Sequence, residues 1–144
     1  MKQKNENSVI RFHYLYRDAG NYKKWNFVDF KNSEGLEIDE IHRRLEKSFD
    51  MGCLFNADQV GVPEVFLFDD EEYSLSADDH CFHEYNSVEA VDASREDINL
   101  QYCSIGEFVK DVENFSCQGW KVFDPWEKSF STSIINRSPE HPSS

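Results

Sequence analysis

Polar and apolar residues alternate with a period of two over Ser8–Arg17. Ile10, Phe12, Tyr14 and Tyr16 fall on one side and Arg11, His13 and Arg17 on the other, which is the pattern of a half-buried strand. Asp18-Ala19-Gly20-Asn21 supplies turn chemistry, because Gly and Asn both tolerate positive φ. Trp25–Lys31 carries Trp25, Phe27, Val28 and Phe30 and reads as a second strand. The two predict a hairpin with a long, basic tip of Arg17, Lys23 and Lys24. The period then changes. Ile38, Ile41, Leu45 and Phe49 recur at helical spacing. Asp39 and Glu40 sit in the first turn of that helix, where they complement its dipole. Asp39–Arg43 and Glu40–Arg44 are spaced as i,i+4 pairs, and Gly52 is expected to end the element.

Cys53–Gln59 and Glu64–Phe68 look like strands around the breaker Gly61-Val62-Pro63. Val65-Phe66-Leu67-Phe68 is apolar on both faces and predicts a central strand. Asp69–Asp79 reads as an acidic loop, and Cys81–Val91 as a further strand carrying Phe82, Tyr85, Val88 and Val91. Ser104-Ile105-Gly106-Glu107 is a capping box. It opens a helix with Ile105, Phe108, Val109, Val112 and Phe115 inward and Gly119 at its end. Trp120–Phe123 predicts a short last strand before Asp124-Pro125. The order β-β-α-β-β-β-α-β implies an α+β fold, one mainly antiparallel sheet with two helices on one face. The chain divides into a single domain over 1–128 and a polar tail over 129–144.

Composition sharpens this. Only 39% of the 144 residues are hydrophobic, yet twelve Phe, six Tyr and three Trp are present. A large ring buries about 150–250 Å², so the core is sufficient and wholesale disorder is excluded. The formal net charge is −13, and it is unevenly spread. Residues 58–97 hold thirteen carboxylates against one base, Arg95, whereas the first 32 residues hold seven Lys and Arg against three acids. Binding a nucleic acid means neutralising phosphates with Lys and Arg, so direct nucleic-acid binding is disfavoured. An anionic membrane surface is disfavoured for the same reason. A basic protein partner is favoured, with simple solubility as the plainer use of the charge. Cysteines stand at 53, 81, 103 and 117 without a C-x-x-C pair. Met1–Asn7 lacks an apolar run and no stretch approaches the length of a membrane span. The expectation is a cytoplasmic protein with reduced, mostly buried thiols.

Three groups of residues invite chemistry. Asp78-Asp79-His80-Cys81-Phe82-His83-Glu84 concentrates metal-ligand types, with His80, His83 and Glu84 as candidate ligands for Zn or Mn. A strand would set His80 and His83 on opposite faces, which counts against one shared ion, and the spacing is not H-E-x-x-H. Asp69, Asp70, Glu71 and Glu72, with Asp78 and Asp79, form an acidic cluster without EF-hand spacing. Such carboxylates either stay solvated or mimic phosphates before a basic groove. The hairpin tip gathers Arg17, Tyr22, Lys23 and Trp25, residue types common in binding hot spots, although a turn whose rings cap the sheet uses the same types. No phosphate-cradling Gly motif and no G-x-S-x-G elbow occurs. No catalytic residue and no cofactor follow.

The leading expectation is a non-enzymatic binding module of the immunity, inhibitor or accessory-subunit type. It would offer the Asp69–Asp79 acids and the tip to a basic partner. A metal-dependent hydrolase or nuclease and a small-ligand domain under the aromatic sheet are the alternatives. Oligomeric state stays open.

Y-R-D-A-G-N-Y-K at Tyr16–Lys23, G-x-x-F-x-A at Gly52–Ala57, Val62-Pro63 and D-D-H-x-x-H-E-Y at Asp78–Tyr85 resemble a family of small bacterial proteins of unassigned function. The resemblance covers about residues 9–92 and implies no activity or catalytic residue. It draws attention to Arg17, Asp18, Asn21, Lys23, His80 and His83.

Overall fold

In the computed structural model of the chain, described over residues 8–18, 20–66, 80–122 and 125, the alternating N-terminal segment is a hairpin. Its strands are β1, Ser8–Arg17, and β2, Lys23–Lys31, paired antiparallel from Val9↔Lys31 to Arg17↔Lys23. Then come α1 (Ile38–Ser48), β3 (Leu54–Phe55), α2 (Ala57–Val60), β4 (His83–Asp92), β5 (Leu100–Ser104) and α3 (Ile105–Gln118). The described strands build one mixed five-stranded sheet in the order β3-β4-β1-β2-β5. The class is α+β. The sheet is antiparallel except where β5 runs parallel to β2.

The core lies between one sheet face and the helices. Ile10, Phe12 and Tyr14 of β1 and Val28 and Phe30 of β2 meet Ile41 and Leu45 of α1 and Ile105, Phe108, Val109 and Val112 of α3. Ala57 and Val60 of the short α2 join the same cluster, so three helices rather than two share this side. Phe12 is its hub, 5.1 Å from the Phe108 ring and stacked on Tyr85 at 5.5 Å. Burying such a ring stabilises by roughly 1.5–3 kcal/mol.

Several expectations change. The central strand is β1, flanked by β4 and β2 and buried on both faces apart from His13 and its ends. Its polar face is covered because Arg11 is folded into an ion pair with Asp29 of β2, directly opposite it. Glu64–Phe66 lies in no strand, and Leu67 and Phe68 are outside the described residues. The apolarity there comes from packing an irregular segment, with Phe66 buried against Tyr16. Of Cys53–Gln59 only Leu54–Phe55 is strand. Asn56 then caps α2 by accepting from the Gln59 N–H, and Gly61 at φ 85 ends that helix. The local capping bonds win over a two-residue pairing. Helix α1 stops at Ser48, and Gly52 (φ 82) shapes the turn between α1 and β3. Trp120–Val122 is not a strand; the Trp120 indole packs on Phe49 and donates to the Ser48 carbonyl at 3.3 Å. β5 was not expected, because an exposed edge strand needs little apolar patterning. Only Cys81 of the four free thiols is buried; Cys117 is exposed. The acidic cluster 69–72 and 78–79 and the tail expected over 129–144 lie outside the described residues.

Two polar devices fasten the frame. On the outer sheet face Arg11 grips Asp29 with two bonds of 2.8 and 3.0 Å and Asp97 with two of 3.1 Å. It also lies 3.8 Å over the Phe27 ring. Asp29 accepts in addition from the Asn99 N–H, so the turn before β5 is tied to the sheet. At the start of α3 the predicted capping box is present, with Ser104 Oγ accepting from the Glu107 N–H and Glu107 accepting from the Ser104 N–H. Glu34 adds a second cap. It accepts from Ser104 Oγ at 2.5 Å and from the Gly106 N–H at 3.1 Å.

Candidate functional site

The β1–β2 tip is built by its own polar side chains. Asn21 holds φ 71, a left-handed conformation that Asn adopts more readily than most residues. The Asp18 carboxylate accepts from the Tyr22 N–H at 2.9 Å, and backbone bonds link Asp18 with Tyr22 and Asn21. Arg17 then braces the turn against the neighbouring strand. Its guanidinium donates to both oxygens of Glu84 at 2.9 and 3.1 Å and to Asn21 Oδ1 at 2.6 Å. The Glu84 carboxylate, against some cost of burial, shifts the Arg17 guanidinium further towards the charged form. Arg17 is thus a positioning residue of the tip. Tyr22 of the turn is 62% exposed and Trp25, in β2 opposite Leu15, is 55% exposed; Lys23 is exposed too. Tyr22, Lys23 and Trp25 are thus each accessible, whereas Arg17 is turned to internal use.

The histidines sit below the tip. His80 precedes β4, donates from Nε2 to the Arg17 carbonyl at 2.7 Å and accepts at Nδ1 from the Phe82 N–H at 3.1 Å. Its own N–H donates to the Tyr16 hydroxyl. His83 opens β4 and is completely buried. Its Nε2 accepts from the Val65 N–H at 2.8 Å, so the ring proton sits on Nδ1. That nitrogen has no hydrogen-bond partner among the described residues. Phe66 stands edge-on at 4.6 Å, and Tyr16 and Tyr14 lie at 5.7 and 5.9 Å. Burial, aided by His80, lowers the His83 imidazole to a pKa of about 3.

These contacts bear on the metal reading. A metal takes a histidine's free lone pair, and in His80 and His83 it is already accepting a backbone N–H. The Glu84 oxygens are engaged by Arg17. Among the described residues no group of three His, Cys, Asp or Glu side chains is placed to hold an ion. Asp78 and Asp79 are outside those residues. Nearby Cys53 offers no reactive thiolate, because burial and then the Glu84 carboxylate push its thiol upward.

Sequence reasoning missed a second exposed region. β5 and α3 border a shallow groove on which Tyr102 stands fully exposed, with cavities of about 320 and 440 Å³ sharing Tyr102, Cys103 and Glu107. An exposed Tyr in a segment without strong alternation carries no signal of its own.

No protein-family model, curated protein or solved structure matches the chain. The resemblance carried by Tyr16–Lys23 and Asp78–Tyr85 therefore stands without a matching model. No described helix is long and apolar enough to cross a membrane.

Proposed function

We propose that the chain is a non-enzymatic protein-binding module, of the inhibitor, immunity or accessory-subunit type, that offers its acidic charge to a basic partner and uses the β1–β2 tip as a second contact. The observation that carries this reading is the exposure of Tyr22, on a turn already fixed by Arg17, Asn21 and Glu84, and of Trp25 in the strand that leaves it. Rigid aromatic anchors lose little conformational freedom on association, which is why they dominate interface energetics. The charge of −13 supplies long-range attraction for a basic surface.

Affinity capture from the native host, with the wild-type chain and Trp25→Ala compared at low and high salt, tests the proposal. A basic protein should be retained by the wild type. Retention should fall at least about tenfold for Trp25→Ala, the effect of losing a hot-spot ring. It should also weaken as salt rises. Capture that ignores both the substitution and the salt would end this reading.

A further inference from the structure

Helix α1 carries a histidine that the site above does not use. His42 and Glu46 stand one turn apart on it, their side chains 44% and 57% exposed. The His42 Nδ1 meets the Tyr85 hydroxyl at 2.7 Å. Tyr85 is buried, and its ring is held by Phe12 at 5.5 Å and Phe49 at 5.4 Å. One nitrogen of the imidazole is therefore tied to the core, while Nε2 faces Glu46 Oε1 at 3.6 Å. That separation is too long for a hydrogen bond. His13 and Glu89, also an imidazole and a carboxylate at the surface, close to 2.8 Å. His80 and His83 give their lone pairs to backbone N–H groups. Among the described histidines, His42 alone combines an anchored ring with an outward nitrogen that no hydrogen bond from the described residues engages.

We propose that His42 Nε2 and the Glu46 carboxylate form a surface site for a divalent transition-metal ion of the Zn²⁺ class. Imidazole and carboxylate are both Zn²⁺ donors, with bonds of about 2.0–2.2 Å. Two such bonds at a tetrahedral angle set their N and O about 3.4 Å apart. The 3.6 Å between Nε2 and Oε1 is a small side-chain adjustment from that bite. Spacing of i,i+4 is what brings the two donors to one helix face. The bound tautomer follows. The ring proton sits on Nδ1 and is donated to the Tyr85 oxygen, which leaves the Nε2 lone pair for the ion. Metal-bound histidines are regularly oriented by such an outer partner. Tyr85 is thus a positioning residue of the site. Water completes the shell, since two protein donors are fewer than the three or four of a buried Zn²⁺ centre. The site is therefore an open, exchangeable one. A net charge of −13 raises the local concentration of cations around it. Mg²⁺, which prefers an all-oxygen shell, is a poor match. This inference does not rest on the partner proposed above.

Titration of the full chain with Zn²⁺ in a non-chelating buffer at about pH 7.5 tests it, read by calorimetry and by the imidazole nitrogen signals in NMR. Zn²⁺ should move the His42 Nε2 signal and raise the thermal midpoint, because the two donors are aligned in the folded helix. His42→Ala and Glu46→Gln should each weaken binding at least about tenfold. Tyr85→Phe should weaken it about tenfold, as loss of an outer-shell partner does, and should remove the hydrogen-bonded Nδ1–H signal of the bound ring. His13→Ala should change nothing. Ions collected by other carboxylates are common to wild type and variants and cancel in the comparison. Zn²⁺ that leaves the His42 nitrogen unmoved overturns the proposal. So does equal binding by a His42→Ala variant that melts as the wild type does.

Discussion

A neutral imidazole at His83 follows from where its neighbours place it. Four aromatic side chains, Tyr14, Tyr16, Phe55 and Phe66, surround the ring, and its one lone pair is taken by the Val65 N–H. Protonation would bury a charge and break that bond. The folded pKa of about 3 lies below the ordinary unfolded value of about 6.5. Over that window the unfolded chain binds a proton that the folded chain does not, so stability is lost as pH falls from about 6.5 toward 3. The expected slope is about 1.4 kcal/mol per pH unit. Urea melts between pH 7 and 5, above most carboxylate titration, read it directly. His83→Gln keeps an acceptor for Val65 and has nothing to titrate, so the slope should drop by that amount. An unchanged slope would show that His83 is protonated in the folded state. The sequence marked His83 as a ligand candidate and gave no sign of this burial. His-x-x-His spacing states which residue types are near one another, but the enclosing rings come from β1, β3 and the segment after α2.

Among the elements, α3 was the most legible, because a capping box is a local bond pattern that does not depend on the rest of the molecule. Its second cap was not. Glu34 reaches it from the α1 side of the chain, 70 residues away in sequence. Burial works to raise the Glu34 carboxyl, but hydrogen bonds from Ser104 and the Gly106 N–H outweigh it and hold it below the usual range. Gly106 makes room for this, since a Cβ there would collide with the Glu34 carboxylate. Helix propensity alone favours Gly106→Ala by up to about 1 kcal/mol. The geometry reverses the sign, with a net loss of about 1–2 kcal/mol as the caps are displaced. Denaturant melts of Gly106→Ala, alone and with Glu34→Ala, distinguish the two. Stabilisation by the single change would refute the steric account, and the penalty should vanish in the double variant. β3 and α2 went the other way. Asn56 and Gly61 were visible turn formers, yet the apolar residues around them suggested a longer strand.

For the whole molecule, the proposed interaction divides between net charge and local contact. The charge of −13, and not the basic tip, would draw a basic partner from a distance, while Trp25 would act only on contact. Screening over a length of about 8 Å at physiological salt weakens the first. Titrating salt against wild type and Trp25→Ala should therefore separate them: salt should lower retention of both, and Trp25→Ala should lower it at every salt concentration. Equal retention of the two at high salt would count against a contact at Trp25. The alternation of β1 and β2, the helical stripe of α1, the cap of α3 and the uneven charge were decided by the sequence alone, because each is set by neighbours within a few residues. The rank of the strands needed the tertiary structure. β1 became central because the Arg11 side chain found Asp29 and Asp97 and left water, so a polar-looking face could be buried. β5 became an edge because Asp29 fastened the turn ahead of it. Both depend on partners 18 to 86 residues apart, a distance over which pattern along the chain carries no information.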